Sequence, residues 1–456
     1  MKNIKFPPAM QWEVMPACNH NCIHCYNYWR TDEQLAHSGY SCDSKHMELA
    51  RQIVQQKPAF CVITGGEPLL IFSELVNPIR LLKENGIYVS INTNATLVTD
   101  EIADFLRANN VGVLISLPCS DPEICDRITG IDGSFYRIEK GIQCLIKKNV
   151  RVTVNMVVMQ SNKAKVISTA EYVYSRLKVT TFYASRVGKP TNSSCEFDRE
   201  LLSQNDVAKM QWDLLYIRSH LQIRIGTAGP FPSCSFDNDI LYQEFACEKK
   251  CTAGKLSYAV DFMGNVKACP RDDQTFGNIL TDEFSAIWDR MLQWRDNSLL
   301  PEACQECSVK SYCSGGCRLD SYPITGCRNT HDLLFDSTKL PVVFRKLNPQ
   351  QLMDRIAVDS DYQALSPKFT KIKRAETLFV SQNISYVQEE FGWRASVGSR
   401  FMYITNELKT YLENRHCVIQ RELAADFDVS DEVASNLIGM LMDNNLLHQK
   451  GGSECG

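Results

Sequence analysis

Through its first 225 residues the chain alternates short apolar runs with longer stretches whose apolar positions recur every three or four residues. The runs are Trp12–Val14, Phe60–Ile63, Ile87–Ile91, Val111–Ser116, Val150–Val158 and Thr181–Tyr183, and each predicts a strand. Stretches near 45–57, 73–85, 99–109, 134–148 and 163–177 have helical spacing. A strand-then-helix alternation of this kind predicts an α/β domain over 1–225, a parallel sheet wholly or partly closed into a (β/α)6 barrel.

Periodicity lapses over 226–246, around Gly229-Pro230 and Pro232, which predicts a linker. A cysteine-rich domain is expected over 247–345, and in it Ser257–Cys269 predicts a hairpin turning at Met263-Gly264-Asn265. After a transitional stretch at about 345–370, Ala375–Val380, Ile384–Gln388 and Trp393–Tyr403 predict short strands. Three helices should follow, carrying Leu408, Tyr411 and Leu412; then Leu423 and Phe427; then Val433, Leu437, Met440 and Leu441. Ser430 is placed to cap the last of them, with Asp431 and Glu432 in its first turn. Three strands followed by three helices is the order of a winged helix, expected over 371–456.

Composition narrows the function classes. The chain is 44% hydrophobic and 22% charged with a net charge of −4, so nothing suggests a polyanionic partner. No apolar run reaches the 18 residues of a membrane span. The opening MKNIKFPPAMQWEV lacks a signal peptide's apolar segment, so a cytoplasmic protein is expected. In that compartment 20 cysteines point to metal rather than to disulfides, and they gather at 18–25 and 247–327.

Cys18, Cys22 and Cys25 form a C-x3-C-x2-C array just after the first strand. Three thiolates can hold three irons of a cubane and leave the fourth open; a zinc site or packing cysteines are the plainer readings. Thr64-Gly65-Gly66-Glu67-Pro68 follows the second strand and Asn92–Asn94 the third, at the carboxyl ends where parallel sheets bind ligands. Paired glycines admit a ligand close to the backbone, and a carbonyl with the Glu67 carboxylate can accept from an ammonium. A tight turn alone would also explain them.

The cysteine triplet and the TGGEP run together resemble the radical S-adenosylmethionine (radical SAM) family. The resemblance implies that a [4Fe–4S] cluster on Cys18, Cys22 and Cys25 binds S-adenosylmethionine, and that Gly65, Gly66, Glu67 and Pro68 receive its amino group. A 5′-deoxyadenosyl radical would then abstract hydrogen from a substrate, in a cell with little oxygen. The run ISLPCSDPEICDRITGIDGSF at 115–135 resembles the family's fourth-strand segment, with Ser116 at the position that reaches the ribose. Pro118 and Cys125 depart from that pattern, which has aspartate and often histidine there. Arg137 is a candidate for the methionine carboxylate or a solvated helix arginine. Asn155 is a candidate near the ribose or a satisfied strand residue. His24 and Tyr26 flank Cys25, beside the adenine or in the core.

From Cys251 the chain reads C-x12-G-x4-C, a gap, C-x2-C-x5-C-x3-C, a gap and C, with Gly264 as the marked glycine. This resembles the SPASM extension of radical SAM enzymes; a zinc ribbon is the plainer reading of Cys304–Cys317. The resemblance implies two auxiliary [4Fe–4S] clusters, one on Cys247, Cys251, Cys269 and Cys317, the other on Cys304, Cys307, Cys313 and Cys327. They would serve as electron conduits or sinks. Cys234 lies near enough to Cys247 to be an alternative ligand, and Cys61 and Cys144 fall on apolar faces.

The expected function is therefore a maturase that cross-links a ribosomally made precursor peptide through a thioether, ether or C–C bond. Its partners would be that peptide or protein and a reductant such as flavodoxin or ferredoxin, with neither nucleic acid nor membrane. The C-terminal element order resembles a peptide-binding recognition element that grips a leader by strand addition. A formylglycine-generating sulfatase-maturing enzyme is one alternative, although no acidic base can be assigned. An iron–sulfur sensor with a DNA-binding tail is another. Against the sensor, Asp431 to about Gln449 has no lysine or arginine, and 371–456 holds nine basic against twelve acidic residues.

Overall fold

The apolar runs become adjacent parallel strands in a computed structural model that describes residues 7–27, 43–191, 193–246, 250–339, 377–389, 392–398 and 400–449. These are β1 (Ala9–Glu13), β2 (Phe60–Thr64), β3 (Tyr88–Thr93), β4 (Gly112–Ser116), β5 (Val152–Val158) and β6 (Thr181–Arg186). Each pairs with the next in parallel, and β7 (Arg224–Gly226) follows β6. The crossovers are α1 (Asp43–Gln55), α2 (Phe72–Glu84), α3 (Asp100–Ala108), α4 (Pro122–Thr129), α5 (Ser134–Lys147), α6 (Val166–Ser175) and α7 (Gln204–Leu221). Residues such as Trp12, Ile63, Ile91, Ile115, Val154 and Phe182 are wholly buried and form one core with the helices.

The sheet does not close on itself. Its order is β7-β6-β5-β4-β3-β2-β1-β8-β9. β8 (Ser257–Val260) runs parallel to β1, and β9 (Val266–Lys267) turns back antiparallel, so the expected hairpin is added to the barrel's own sheet. Lys267 on β9 meets Glu13 on β1 at 2.5 Å with neither side chain exposed. Burial pushes the Glu13 carboxyl up to about 8, although Lys267 pulls it down.

The segment 226–246, expected as a linker, is packed structure. Its breakers form a loop, but α8 (Asp239–Phe245) follows, and Phe231, Phe236, Ile240, Tyr242 and Phe245 are buried in the main core. Aromatic content outweighs the proline and glycine punctuation here. A buried ion cluster joins the barrel to the cysteine-rich part: Arg186, at the end of β6, reaches Asp320 and Asp332 at 2.6 Å each.

The C-terminal part holds two three-stranded antiparallel sheets. β10 (Thr377–Val380) lies between β14 (Cys417–Ile419) and β15 (Leu447–Gln449). β12 (Gly392–Val397) lies between β11 (Ser385–Glu389) and β13 (Arg400–Ile404). The expected single strand Trp393–Tyr403 is thus two, because Gly398, at φ +58, turns the chain back. The helices α9 (Asn406–Glu413), α10 (Gln420–Asp426) and α11 (Asp431–Asp443) fall where expected, and the Ser430 side chain accepts from the Val433 N–H. Ala395, Val397, Met402 and Ile404 pack with these helices into a separate core. Arg394, on the other face of β12, is wholly buried and donates to the Lys57 carbonyl just before β2. Tyr258 of β8 is close enough to act on its charge. This sheet is therefore seated on the amino-terminal end of the barrel strands.

Replacing Arg394 with Met should loosen that seat by about 2 kcal/mol, the worth of a hydrogen bond to a charged group. Amide exchange along β12 is expected to rise while exchange in β1 to β6 stays unchanged.

Candidate active site

Residues 14–27 leave the carboxyl end of β1 as a loop carrying the three cysteines. The Asn21 N–H donates to the Thr129 carbonyl at 2.8 Å and the Ile23 N–H to the Ile128 carbonyl at 3.0 Å. The end of α4 therefore buttresses the cysteine loop. Cys18 is exposed, and Cys22 and Cys25 are half-buried, as an iron that must admit a ligand requires. His20 is buried in the loop; burial first, then Arg137, pushes its imidazole down to about 4. It is neutral at physiological pH.

The glycine pair packs onto this loop. Gly66 donates to the Met15 carbonyl at 2.7 Å and Glu67 to the Ala17 carbonyl at 2.9 Å. A Cβ at Gly66 would lie 1.8 Å from the Ala17 oxygen, and Gly65 has φ +129, so only glycine suits either place. Glu67 is buried and largely spoken for. Its Oε1 accepts from the Leu69 N–H at 3.0 Å and the Thr93 hydroxyl at 2.6 Å, and its Oε2 from the Asn94 N–H at 2.8 Å. Burial raises its pKa, and these three donors oppose the rise. Glu67 thus ties the β2 loop to the end of β3 and keeps one acceptor position on Oε2 for an ammonium. Asn94 continues the tie, donating to Asn19 at 2.7 Å, and Asn19 donates to Thr96 at 2.8 Å. Asn27 donates to the Gly65 carbonyl at 2.6 Å. Sequence reasoning placed Asn92–Asn94 at a strand end but missed this lattice, whose only trace is the polar run NTNAT.

Ser116 and Asn155 are register partners on β4 and β5, at the same mouth. Asn155 accepts from the Ser185 hydroxyl on β6 at 2.7 Å, which in turn accepts from the Ala228 N–H at 2.9 Å. Arg137 is exposed in the first turn of α5, donates to the Asp132 carbonyl at 2.9 Å, and faces His20. Asp126 caps α5, accepting from the Gly133 and Phe135 N–H groups and the Ser134 hydroxyl. Cys125, one of the two departures, is fully buried and its thiol is pushed up to about 12 by burial, so it is packing. The Pro118 carbonyl accepts from Asn162.

The second cysteine field lies beside the first. The Tyr26 hydroxyl bonds to Thr64 and is near enough to feel charge on both Cys25 and Cys269. Cys251 and Cys269 act on one another and on Cys317, whose thiol burial pushes up to about 12. Cys304, pushed up to about 11, feels Cys313, Cys307 and Cys234. Cys327 is exposed. Cys247 lies outside the described residues.

Among the described residues no three ligand-type side chains close to the spacing of a single ion. What fits a cluster is the donor set and its surroundings. Thiolates this close repel one another, a cost that bound iron relieves. Arg318 is 6% exposed, and neither of its terminal nitrogens has a hydrogen-bond partner. It faces Cys251 and Cys317 of one set and Cys304 and Cys313 of the other. A buried guanidinium left unpaired is costly, and an anionic cluster on either side would satisfy it. Arg271 adds a donor to the Cys317 sulfur at 3.6 Å. When bound, one cluster would supply the electron that breaks the sulfonium of S-adenosylmethionine. Cys18, Cys22 and Cys25 would hold the cluster that does so, and Gly65, Gly66, Glu67 and Pro68 would receive the cofactor's amino group.

Comparison with known proteins agrees with this geometry. Residues 12–173 match the Radical SAM superfamily and residues 251–308 the SPASM iron–sulfur cluster-binding domain. The chain thus carries a radical SAM domain followed by a SPASM domain, the domains of an enzyme that uses [4Fe–4S] clusters and S-adenosylmethionine. It is similar to the AdoMet-dependent heme synthase of Methanosarcina barkeri, 26% identical over 70% of this chain and 93% of that protein. It is likewise similar to the mycofactocin maturase MftC of Mycobacterium tuberculosis, 27% identical over 69% of this chain and 79% of that protein. The fold resembles Streptococcus suis SuiB bound to its precursor peptide SuiA, with a TM-score of 0.56, 15% identity, and coverage of 72% of this chain and 76% of that one. Among the described residues no helix is long and apolar enough to cross a membrane.

Glu67→Ala should leave three donors unpaired and weaken S-adenosylmethionine binding about tenfold, for roughly 1.4 kcal/mol. Iron content should be retained, which equilibrium dialysis with parallel iron assay will show. Arg318→Met should lower the auxiliary reduction potentials by about 59 mV, tenfold in the one-electron ratio, in an EPR-monitored titration, and Arg318→Lys should lower them less.

Proposed function

We propose that this enzyme modifies a ribosomally made precursor peptide, abstracting hydrogen at the mouth of the barrel and forming a thioether, ether or C–C cross-link. A flavodoxin- or ferredoxin-type protein would provide the electron, in a cytoplasm low in oxygen. The observation that carries the reading is the sheet β11-β12-β13. One of its faces packs on α9 to α11 and the other on the barrel, and among the described residues β11 and β13 each pair with one neighbour only. What remains is an edge, and an edge takes up an extended peptide by strand addition. The helices α9 to α11, with β14 between the first two and β15 after the last rather than three strands followed by three helices, are compatible with the same role. The similarity to MftC and the likeness in fold to SuiB support it.

A second reading, chemistry on a tetrapyrrole, is favoured by the heme synthase match along 93% of that protein. Anaerobic incubation with dithionite and S-adenosylmethionine should release 5′-deoxyadenosine in either case. Coexpression with a short open reading frame found beside the gene should yield a peptide lacking a hydrogen pair. Adding that peptide should slow amide exchange along β11 or β13. Slowing confined to 14–27 and 65–68, with no modified peptide, would favour the tetrapyrrole.

A further inference from the structure

The second auxiliary set has three thiols in electrostatic contact, Cys304, Cys307 and Cys313, and a fourth expected at Cys327. Cys327 is exposed and belongs to a turn with its own bonds: its N–H donates to the Thr325 hydroxyl at 3.2 Å, and its carbonyl accepts from the Thr330 hydroxyl at 2.9 Å. The next residue, Arg328, is held by Asp272 and Asp273. Asp272 donates its N–H to the Cys269 carbonyl at 3.0 Å. The turn is therefore fastened on the side of the first auxiliary set.

A different cysteine occupies the other side. The short helix Ser233–Ser235 brings the Ser233 N–H to within 3.3 Å of the Cys313 sulfur. The next residue is Cys234, half-buried and in electrostatic contact with Cys313 and Cys304. Its sulfur accepts from the Asp336 backbone, so it is fixed between 313 and 336. The segment is held in place by buried Phe231, Ser233 and Phe236. The unpaired, buried Arg318 guanidinium faces the same thiols, Cys304 and Cys313. Spacing along the chain associates Cys234 with Cys247; the fold places it with the second set instead.

We propose that Cys234 is the fourth thiolate of the second auxiliary cluster, with Cys304, Cys307 and Cys313, and that Cys327 is not a ligand. Four thiolates are what a closed [4Fe–4S] site takes. Cys234 supplies the fourth from the segment preceding the SPASM signature, and so ties 226–246 to the cysteine-rich domain through iron. The inference rests on the chain's carrying a second auxiliary cluster.

The test uses the full chain, reconstituted anaerobically and treated with iodoacetamide before and after iron is stripped with ferricyanide and a chelator. Peptide mass spectrometry is expected to find Cys327 alkylated in the loaded protein and Cys234 alkylated only after stripping. Three clusters contain about twelve irons. Cys327→Ala should keep them, whereas Cys234→Ala and Cys307→Ala should each lose about a third, or show the EPR signal of a three-iron cluster on mild oxidation. Cys327 protected by iron, or iron lost from Cys327→Ala and kept in Cys234→Ala, overturns the proposal while leaving the second cluster in place. Iron unchanged in Cys307→Ala removes the second cluster itself, and the assignment of Cys234 with it.

Discussion

The contact on which the site depends is backbone against backbone: residues 15–17 of the cysteine loop laid along Gly65 and Gly66. Two N–H groups of the β2 loop close on the Met15 and Ala17 carbonyls, and there is no room for a side chain between them. Because the cysteines follow immediately, their position is set by this ladder and by α4 behind it, not by the thiols themselves. Glu67 then carries the constraint sideways to β3 through Thr93 and Asn94. A cluster held there with one iron open would find its loop shaped by the backbone and not by the metal alone.

The electrostatics of the cysteine-rich part follow from crowding. Sulfurs of two sets lie close enough to raise one another's proton affinity, and the protein sets arginines beside them. Arg271 and Arg318 point at sulfur, and Arg186 locks Asp320 and Asp332 nearby. Asp332 in turn accepts from the Cys317 N–H at 2.8 Å. Fixed cations of this kind stabilise reduced, more negative clusters without having to reorganise.

Much of this was legible in the chain. Strand runs and the two cysteine fields came through because buried parallel strands and closely spaced thiols leave local patterns. What escaped depends on contacts between distant residues. Nothing near Arg318 or Cys234 signals that they meet the same sulfurs, and no period marks 226–246 as core, since the aromatic residues that pack on one another there are irregularly spaced. The Trp393–Tyr403 run hid its turn because a single glycine, Gly398, separates two short runs that both read as strand. Glu67 stands out in the sequence beside its paired glycines, but most of its acceptor capacity serves the fold.

The seat of the C-terminal sheet has a geometric consequence. It sits under the floor of the barrel, at Lys57 and Tyr258, while the cysteine loop opens at the opposite rim. The staves between are about five residues long, roughly 17 Å at ~3.3 Å per residue. A substrate anchored below and altered above must climb the outside of the wall. Its anchor and its reactive residue must then be separated by a tether of no fewer than about six extended residues, at ~3.3–3.6 Å each. Substrates would thus be sorted by reach as well as by sequence.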